Sequence, residues 1–332
     1  MIETVGNHDM FGVESYDSPH NYGLDYTHSM MRKDVKSEEN FQIRVFEVGR
    51  FLTVIALNPL SFPFVHSPLI MNMPLPAKIL DILQDKVEKS EGKCTVVSHF
   101  PIGLIKSGKS SNGKSLTDIV DNTEKVAAYL SGHWHSENPV SFHYGKKGVD
   151  IVATASFKRE KFGIVSIDNG GISWSPVDIN KPTNGVITYP IPADQLSSSS
   201  IFNDKENSEI RVVIFSDKND LKIQFKIIDK INSKTVFNRF LNYKKQLVNG
   251  RSLYSFPFNS CIKDFGEYHV EFNGDFVGST DFVVKNFVTF KQKEIGYFTG
   301  LYAVIPYIYA IFIYILIFIT ILIPFNCCGF QF

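Results

Sequence analysis

Charge is distributed along this chain in a way that few folds tolerate. The 332 residues include 34 Lys+Arg and 34 Asp+Glu, and every one of those charges lies at or before Glu294. From there to Phe332 the sequence is mostly aliphatic and aromatic. Residues 301–323 (LYAVIPYIYAIFIYILIFITILI) form an uncharged run. At about 1.5 Å per helical residue it is long enough to cross a hydrocarbon core of roughly 30 Å. Hydropathy therefore predicts a transmembrane helix over 301–323, flanked by a juxtamembrane segment at 288–300 and a tail at 324–332. The expected localisation is a membrane, with the lipid bilayer as a partner. The balanced charge leaves nothing to draw the chain to nucleic acid, so no nucleic-acid partner is expected.

Cysteine is sparse: Cys94 and Cys261 stand alone and Cys327-Cys328 lie beyond the apolar run, so no disulfide framework is implied. No Asn-x-Ser/Thr sequon occurs, and the N-terminus has no basic region followed by an apolar core.

Periodicity divides the polar part in two. FQIRVFEV and FLTVIAL, within 41–57, read as β-rich runs broken at Gly49-Arg50. PAKILDILQDKVEK (76–89) has apolar residues at helical spacing with Pro in its first turn. CTVVS (94–98) reads as a short buried strand, 116–130 as a second helix, and 150–155 and 162–167 as further strands. Alternating strand and helix predicts a layered α/β domain over 1–192. Residues 193–207 are Ser-rich and charged and read as a linker. Over 208–287 no helical period appears; IRVVIF, LKIQFKII, LYSFPF, YHVEF and DFVV alternate with polar turns, which predicts an all-β, immunoglobulin-like sandwich.

Three short segments carry metal-type side chains. They are Gly6-Asn7-His8-Asp9, then Ser98-His99-Phe100-Pro101 after the CTVVS run, then Gly132-His133-Trp134-His135. Imidazole nitrogens and an amide oxygen suit Zn, Fe or Mn, and His133 and His135, alternating on extended backbone, can serve two adjacent ions. Each motif alone is weak; their appearance in order, each beside a predicted element, is strong.

Those motifs resemble the later motifs of the calcineurin-like metallophosphoesterases, GNH[DE], a strand-end His and GHxH, with a membrane-anchored branch of that family as the nearest likeness. The resemblance implies a partial metallophosphoesterase α/β sandwich, two divalent ions (Mn, Fe or Zn) and a phosphate-ester substrate. It implies that Asn7, His99 and His133 ligate one metal and His135 the other. By the same resemblance His8 faces the phosphate and Asp9 orients it. The two ions would activate a water and clamp an in-line displacement, making the chain a membrane-anchored hydrolase of phosphate esters.

The family's first two motifs, D-x-H and G-D-x-x-[DN], are not found upstream of Gly6. Asp25-Tyr26-Thr27-His28 has one residue too many for the first, and Gly274-Asp275 lacks the acid needed for the second. The expectation is a truncated chain, or a degenerate relative that binds without catalysis. A rival motif is GKSSNGKS at 108–115, which fits the phosphate-cradling pattern G-x-x-x-x-G-K-[ST] and would place Lys114 on phosphate and Ser115 on Mg²⁺. The strand expected directly before it is poor, so a Ser-rich loop is the preferred reading there.

Overall fold

The computed structural model describes residues 4–10, 13–19, 41–49, 52–60, 62, 75–105, 107–122, 124–136, 140–145, 148–154, 161–168, 171–178, 180, 185–196, 209–262, 264–284 and 311–315.

Six strands form the first sheet in the order β1-β2-β3-β4-β6-β5: β1 (Ile43–Val48), β2 (Leu52–Leu57), β3 (Lys93–Val97), β4 (Val126–Ser136), β5 (Val140–Tyr144) and β6 (Gly148–Thr154). β2, β3, β4 and β6 run parallel, and β1 and β5 close the two edges antiparallel. Parallel neighbours need a crossover, supplied by α1 (Ala77–Lys89) between β2 and β3 and by α2 (Leu116–Val120) between β3 and β4.

Helix α1 forms where the sequence predicts it. Ile79, Leu80, Leu83 and Val87 are buried along one stripe, Pro76 stands at the N-cap, and Lys86 and Lys89 occupy the last turn, where they complement the carbonyl end of the helix. That stripe packs with Leu116, Ile119 and Val120 of α2 on Ile55, Leu57, Cys94, Val96 and Tyr129 of the sheet. The opposite sheet face carries Leu52, Ala127, Ala128, Val149 and Ile151. It is covered by Ile172 and Trp174 of the hairpin formed by β7 (Lys161–Asp168) and β8 (Gly171–Asp178).

The second unit is a sandwich of two antiparallel four-stranded sheets. One has the order β13-β14-β10-β9 and the other β12-β11-β15-β16, made from β9 (Gly185–Tyr189), β10 (Glu209–Ile214), β11 (Ile223–Asp229), β12 (Lys234–Phe240), β13 (Asn242–Leu247), β14 (Arg251–Pro257), β15 (Gly266–Gly274) and β16 (Gly278–Val284). Strand β10 alternates buried Ile210, Val212 and Ile214 with half-exposed partners, and its inward side chains join Phe225, Ile227, Tyr254, Val270, Phe272 and Phe282 in one core. Strand β9 lies upstream of 208 yet pairs with β10. Of the segment expected as a linker, residues 197–207 lie outside the described residues, and its first part forms a single turn at Ala193–Gln195. Gln195 anchors that turn to β8: Trp174 N–H donates to Oε1 at 2.7 Å, and Nε2 donates to the Trp174 carbonyl at 3.1 Å.

Two expectations are corrected here. The first is the fold class. Sixteen strands are described, against two α-helices and a short helical stretch at 311–315, so strand dominates and the α/β metallophosphoesterase sandwich is not the class of the chain. The physical cause is visible at 116–130: α2 ends at Val120, and the apolar run after it is strand β4. A parallel strand buried on both faces shows a nearly continuous apolar run rather than alternation, and that run was read as helix. The second correction is the transmembrane helix and with it the membrane localisation. Among the described residues no helix is long and apolar enough to cross a membrane, a statement that does not bear on strands. Of 301–323 only 311–315 is described, as exposed helix, which at about 1.5 Å per residue covers a small part of the roughly 30 Å required. The rest of that run, the juxtamembrane segment and the tail lie outside the described residues.

Candidate functional site

The parallel strands β3 and β4 pair as far as Val97 and Leu130, beyond which β4 runs on to Ser136, and the carboxyl ends of such strands are where open sheets place ligands. His99 follows β3 by two residues and His133 lies in the last part of β4. Two backbone bonds carry the β3–β4 contact past the regular ladder: Ser98 N–H donates to the Leu130 carbonyl at 2.9 Å and Gly132 N–H to the His99 carbonyl at 3.0 Å. His99 Nε2 and His133 Nδ1 therefore face each other at 3.3 Å, with their rings 79° apart. Buried Phe100 packs on both imidazoles, at 4.8 Å from the His99 centroid and 5.0 Å from that of His133.

The GNHD segment is placed against this pair by its glycine. A Cβ on Gly6 would lie 2.8 Å from His99 Cε1 and 3.0 Å from both ring nitrogens, so only glycine permits this approach. Asn7 and His8 open the short 3-10 turn Asn7–Met10 next in sequence; their side chains, like that of His135, lie outside what the structure describes. Asp9 is exposed, and its Oδ2 accepts from Gly6 N–H at 2.8 Å. Its carboxylate thus holds the turn that presents Asn7 and His8. The notable backbone feature is His133 itself, whose φ of 69° is left-handed in a residue that carries a Cβ. Such a conformation costs of order 1 kcal/mol and is characteristic of sites whose surroundings over-determine it.

A buried carboxylate that sequence reasoning passed over bonds to the segments that carry the pair. Asp150 of β6 is 1% exposed. Its Oδ1 accepts from Ser131 Oγ at 2.6 Å and its Oδ2 from Ile102 N–H at 2.9 Å. Burial pushes its carboxyl up to about 7, partly offset by those two hydrogen bonds. Tyr129, also buried, donates from its hydroxyl to the Phe100 carbonyl at 3.1 Å, and desolvation holds its phenol above the ordinary range. The signal for Asp150 was present in GVDIVAT: an acid inside an apolar strand must be neutral or carry partners.

Two imidazole nitrogens 3.3 Å apart need either one proton between them or a shared cation. For an N–H···N bond that separation is long. Around a tetrahedral ion with metal–nitrogen bonds of about 2.0–2.1 Å, two ligand nitrogens sit roughly 3.3–3.4 Å apart. The donor pair thus fits a single ion with oxygen or water completing its shell. The expectation of a metal-binding group is corrected: among the described residues no group of three or more His, Cys, Asp or Glu lies together to hold a metal. What is present is a two-histidine pair beside the turn carrying Asn7.

The rival phosphate loop does not form. Among the described residues only a lone bridge at Ser107, not a strand, precedes 108–115, and Ser110 N–H and the Lys114 carbonyl close a turn at 2.8 Å. Lys114 Nζ pairs with Glu88 at 3.3 Å, and Ser115 caps α2 through a reciprocal box with Asp118. Trp134 packs edge-on against Phe142 at 5.2 Å.

No family model and no curated protein matches the chain. Among solved structures it is similar to Bacteroides ovatus GH9, at 25% identity over 24% of this chain and 14% of that one, with a TM-score of 0.19. The chain thus spans a small part of that protein's length, and at this TM-score the likeness carries no argument about fold or activity.

Proposed function

We propose that this chain acts in metal-dependent phosphate-ester chemistry, as a phosphoesterase whose ion is held by His99 and His133, with Asn7 as a further oxygen ligand. The observation that carries the reading is the 3.3 Å separation of His99 Nε2 and His133 Nδ1 at the carboxyl ends of two parallel strands. When bound, the ion would supply the positive charge that polarises a phosphoryl oxygen and lowers the pKa of a water. Phe100 packs against both rings and holds them in place. Asp9 holds the Gly6–Met10 turn, and His8, carried by that turn, would be the acid for the leaving oxygen. A second ion with His135, and the acids the family's first two motifs provide, would have to come from outside the described residues.

The test is hydrolysis of p-nitrophenyl phosphate and its bis ester by purified protein supplied in turn with Mn²⁺, Fe²⁺ or Zn²⁺. Metal-dependent turnover that falls by at least about 100-fold in both His99→Ala and His133→Ala is expected, the scale for losing a metal and its bound water. Turnover unaffected by either substitution would overturn the reading. A second reading, binding of a phosphate ester without catalysis, is favoured by the small number of converging ligands. Ester affinity that depends on both histidines, with no turnover in any of the three metals, would establish it instead.

A further inference from the structure

We infer that Asp150 is the positioning residue that holds the His99–His133 pair in register, an inference that rests on reading the pair as a ligand pair. The two histidines come from different strands, and beyond the regular ladder only two backbone bonds, Ser98 N–H to the Leu130 carbonyl and Gly132 N–H to the His99 carbonyl, join the arms that carry them. The regular β3–β4 register ends at Val97↔Leu130, one residue before Ser98 and three before His133. On the other side of β4 the β4–β6 register breaks between Ser131 and Ser136, across His133 itself. The backbone is thus least constrained by sheet pairing where the left-handed His133 must be held.

The Asp150 side chain supplies what the ladder lacks. One carboxylate oxygen takes Ser131 Oγ, two residues before His133 on β4. The other takes the N–H of Ile102, three residues after His99 on the segment leaving β3. A single planar group on β6 therefore ties together the two arms that carry the imidazoles. Neither Ser131 nor Ile102 touches the ion; each sets where its histidine-bearing arm lies. Outer-shell groups of this kind change metal affinity by about 10- to 100-fold when removed.

The experiment measures Zn²⁺ affinity of the full chain by competition with a chromophoric chelator, with near-UV circular dichroism reporting folding for each variant. Asp150→Ala is expected to weaken Zn²⁺ binding by about 10- to 100-fold. Asp150→Asn keeps both contacts, its Oδ1 accepting from Ile102 and its Nδ2 donating to Ser131 Oγ, and should bind within about 3-fold of the parent. Ser131→Ala removes one arm only and should fall between them, and with the Asn variant it carries the test should the Ala variant fail to fold. The inference is overturned if Ser131→Ala binds like the parent, or if Asp150→Asn is as weak as Asp150→Ala, while His99→Ala abolishes binding. If His99→Ala itself binds Zn²⁺ like the parent, the reading of the pair as ligands fails first, and that outcome is distinguishable from the others.

Discussion

Replacing Asp150 by Asn should make the protein more stable at alkaline pH and leave it nearly unchanged in acid. The carboxyl is fully buried, and burial raises it from 3.8 in the unfolded chain to about 7 in the fold. Because the folded value is the higher one, the folded state binds more protons than the unfolded state between those two pH values. Stability is then greatest below about pH 4, declines as pH rises, and levels off above about pH 7. At about 1.4 kcal/mol per unit, the loss across that window is of order 4 kcal/mol, a large share of a typical total of roughly 5–15 kcal/mol. The neutral acid can donate to Ser131 Oγ while accepting from Ile102 N–H, and the Asn amide reproduces that arrangement without ionising. The assay is urea unfolding of parent and variant at several values between about pH 4 and about pH 8, taking the difference in free energy at each so that other titrating groups cancel. The difference should grow with pH toward a few kcal/mol in favour of Asn. A difference that stays flat, or one that favours Asp at high pH, would refute the burial argument.

Three further outcomes follow from the same geometry. Gly6→Ala places a methyl 2.8 Å from the His99 ring, and should cost about 1–3 kcal/mol as overpacking, read as a lower urea midpoint, together with a displaced His99 imidazole resonance. His133→Gly relieves the left-handed strain and should raise stability by up to about 1 kcal/mol while removing Zn²⁺ binding, the trade expected of a residue held for function. Lys114→Ala breaks a pairing between two half-exposed side chains and should leave the urea midpoint nearly unchanged, with no change in fluorescent ATP-analogue binding, because its loop cradles no phosphate.

Much of the local structure could be read before the fold was known, where a residue's own period carried the information. Helix α1 announces itself by Ile79, Leu80, Leu83 and Val87 on one stripe, and β10 by the short apolar run IRVVIF between polar segments. The chemical content of the site was legible in the same way, since His99 and His133 carry ligand atoms whatever surrounds them. Other elements gave no local signal. Strands β12 and β13, largely exposed, present no buried face for alternation to mark, and they exist because β11 and β14 offer them backbone partners. Strand β9 joins the sandwich by pairing with β10 and burying Tyr189 in its core, across a stretch that reads as domain boundary and linker.

What the sequence by itself determined is therefore the kind of atom available at each position and the period of each strongly amphipathic segment. Tertiary structure decided which of those atoms meet. It made strand of the apolar run after α2, because β3 and β6 pair with its two edges while the helices and the β7–β8 hairpin cover its two faces. It brought His99 within 3.3 Å of His133, against a glycine whose missing Cβ leaves room for the ring. It turned GKSSNGKS into a helix cap by setting Ser115 over Asp118. It also gave Asp150 its two partners, Ser131 and Ile102, which GVDIVAT alone does not name. Period and side-chain chemistry are properties of a residue and its near neighbours, whereas desolvation and donor pairing are created only when segments distant in the chain pack together.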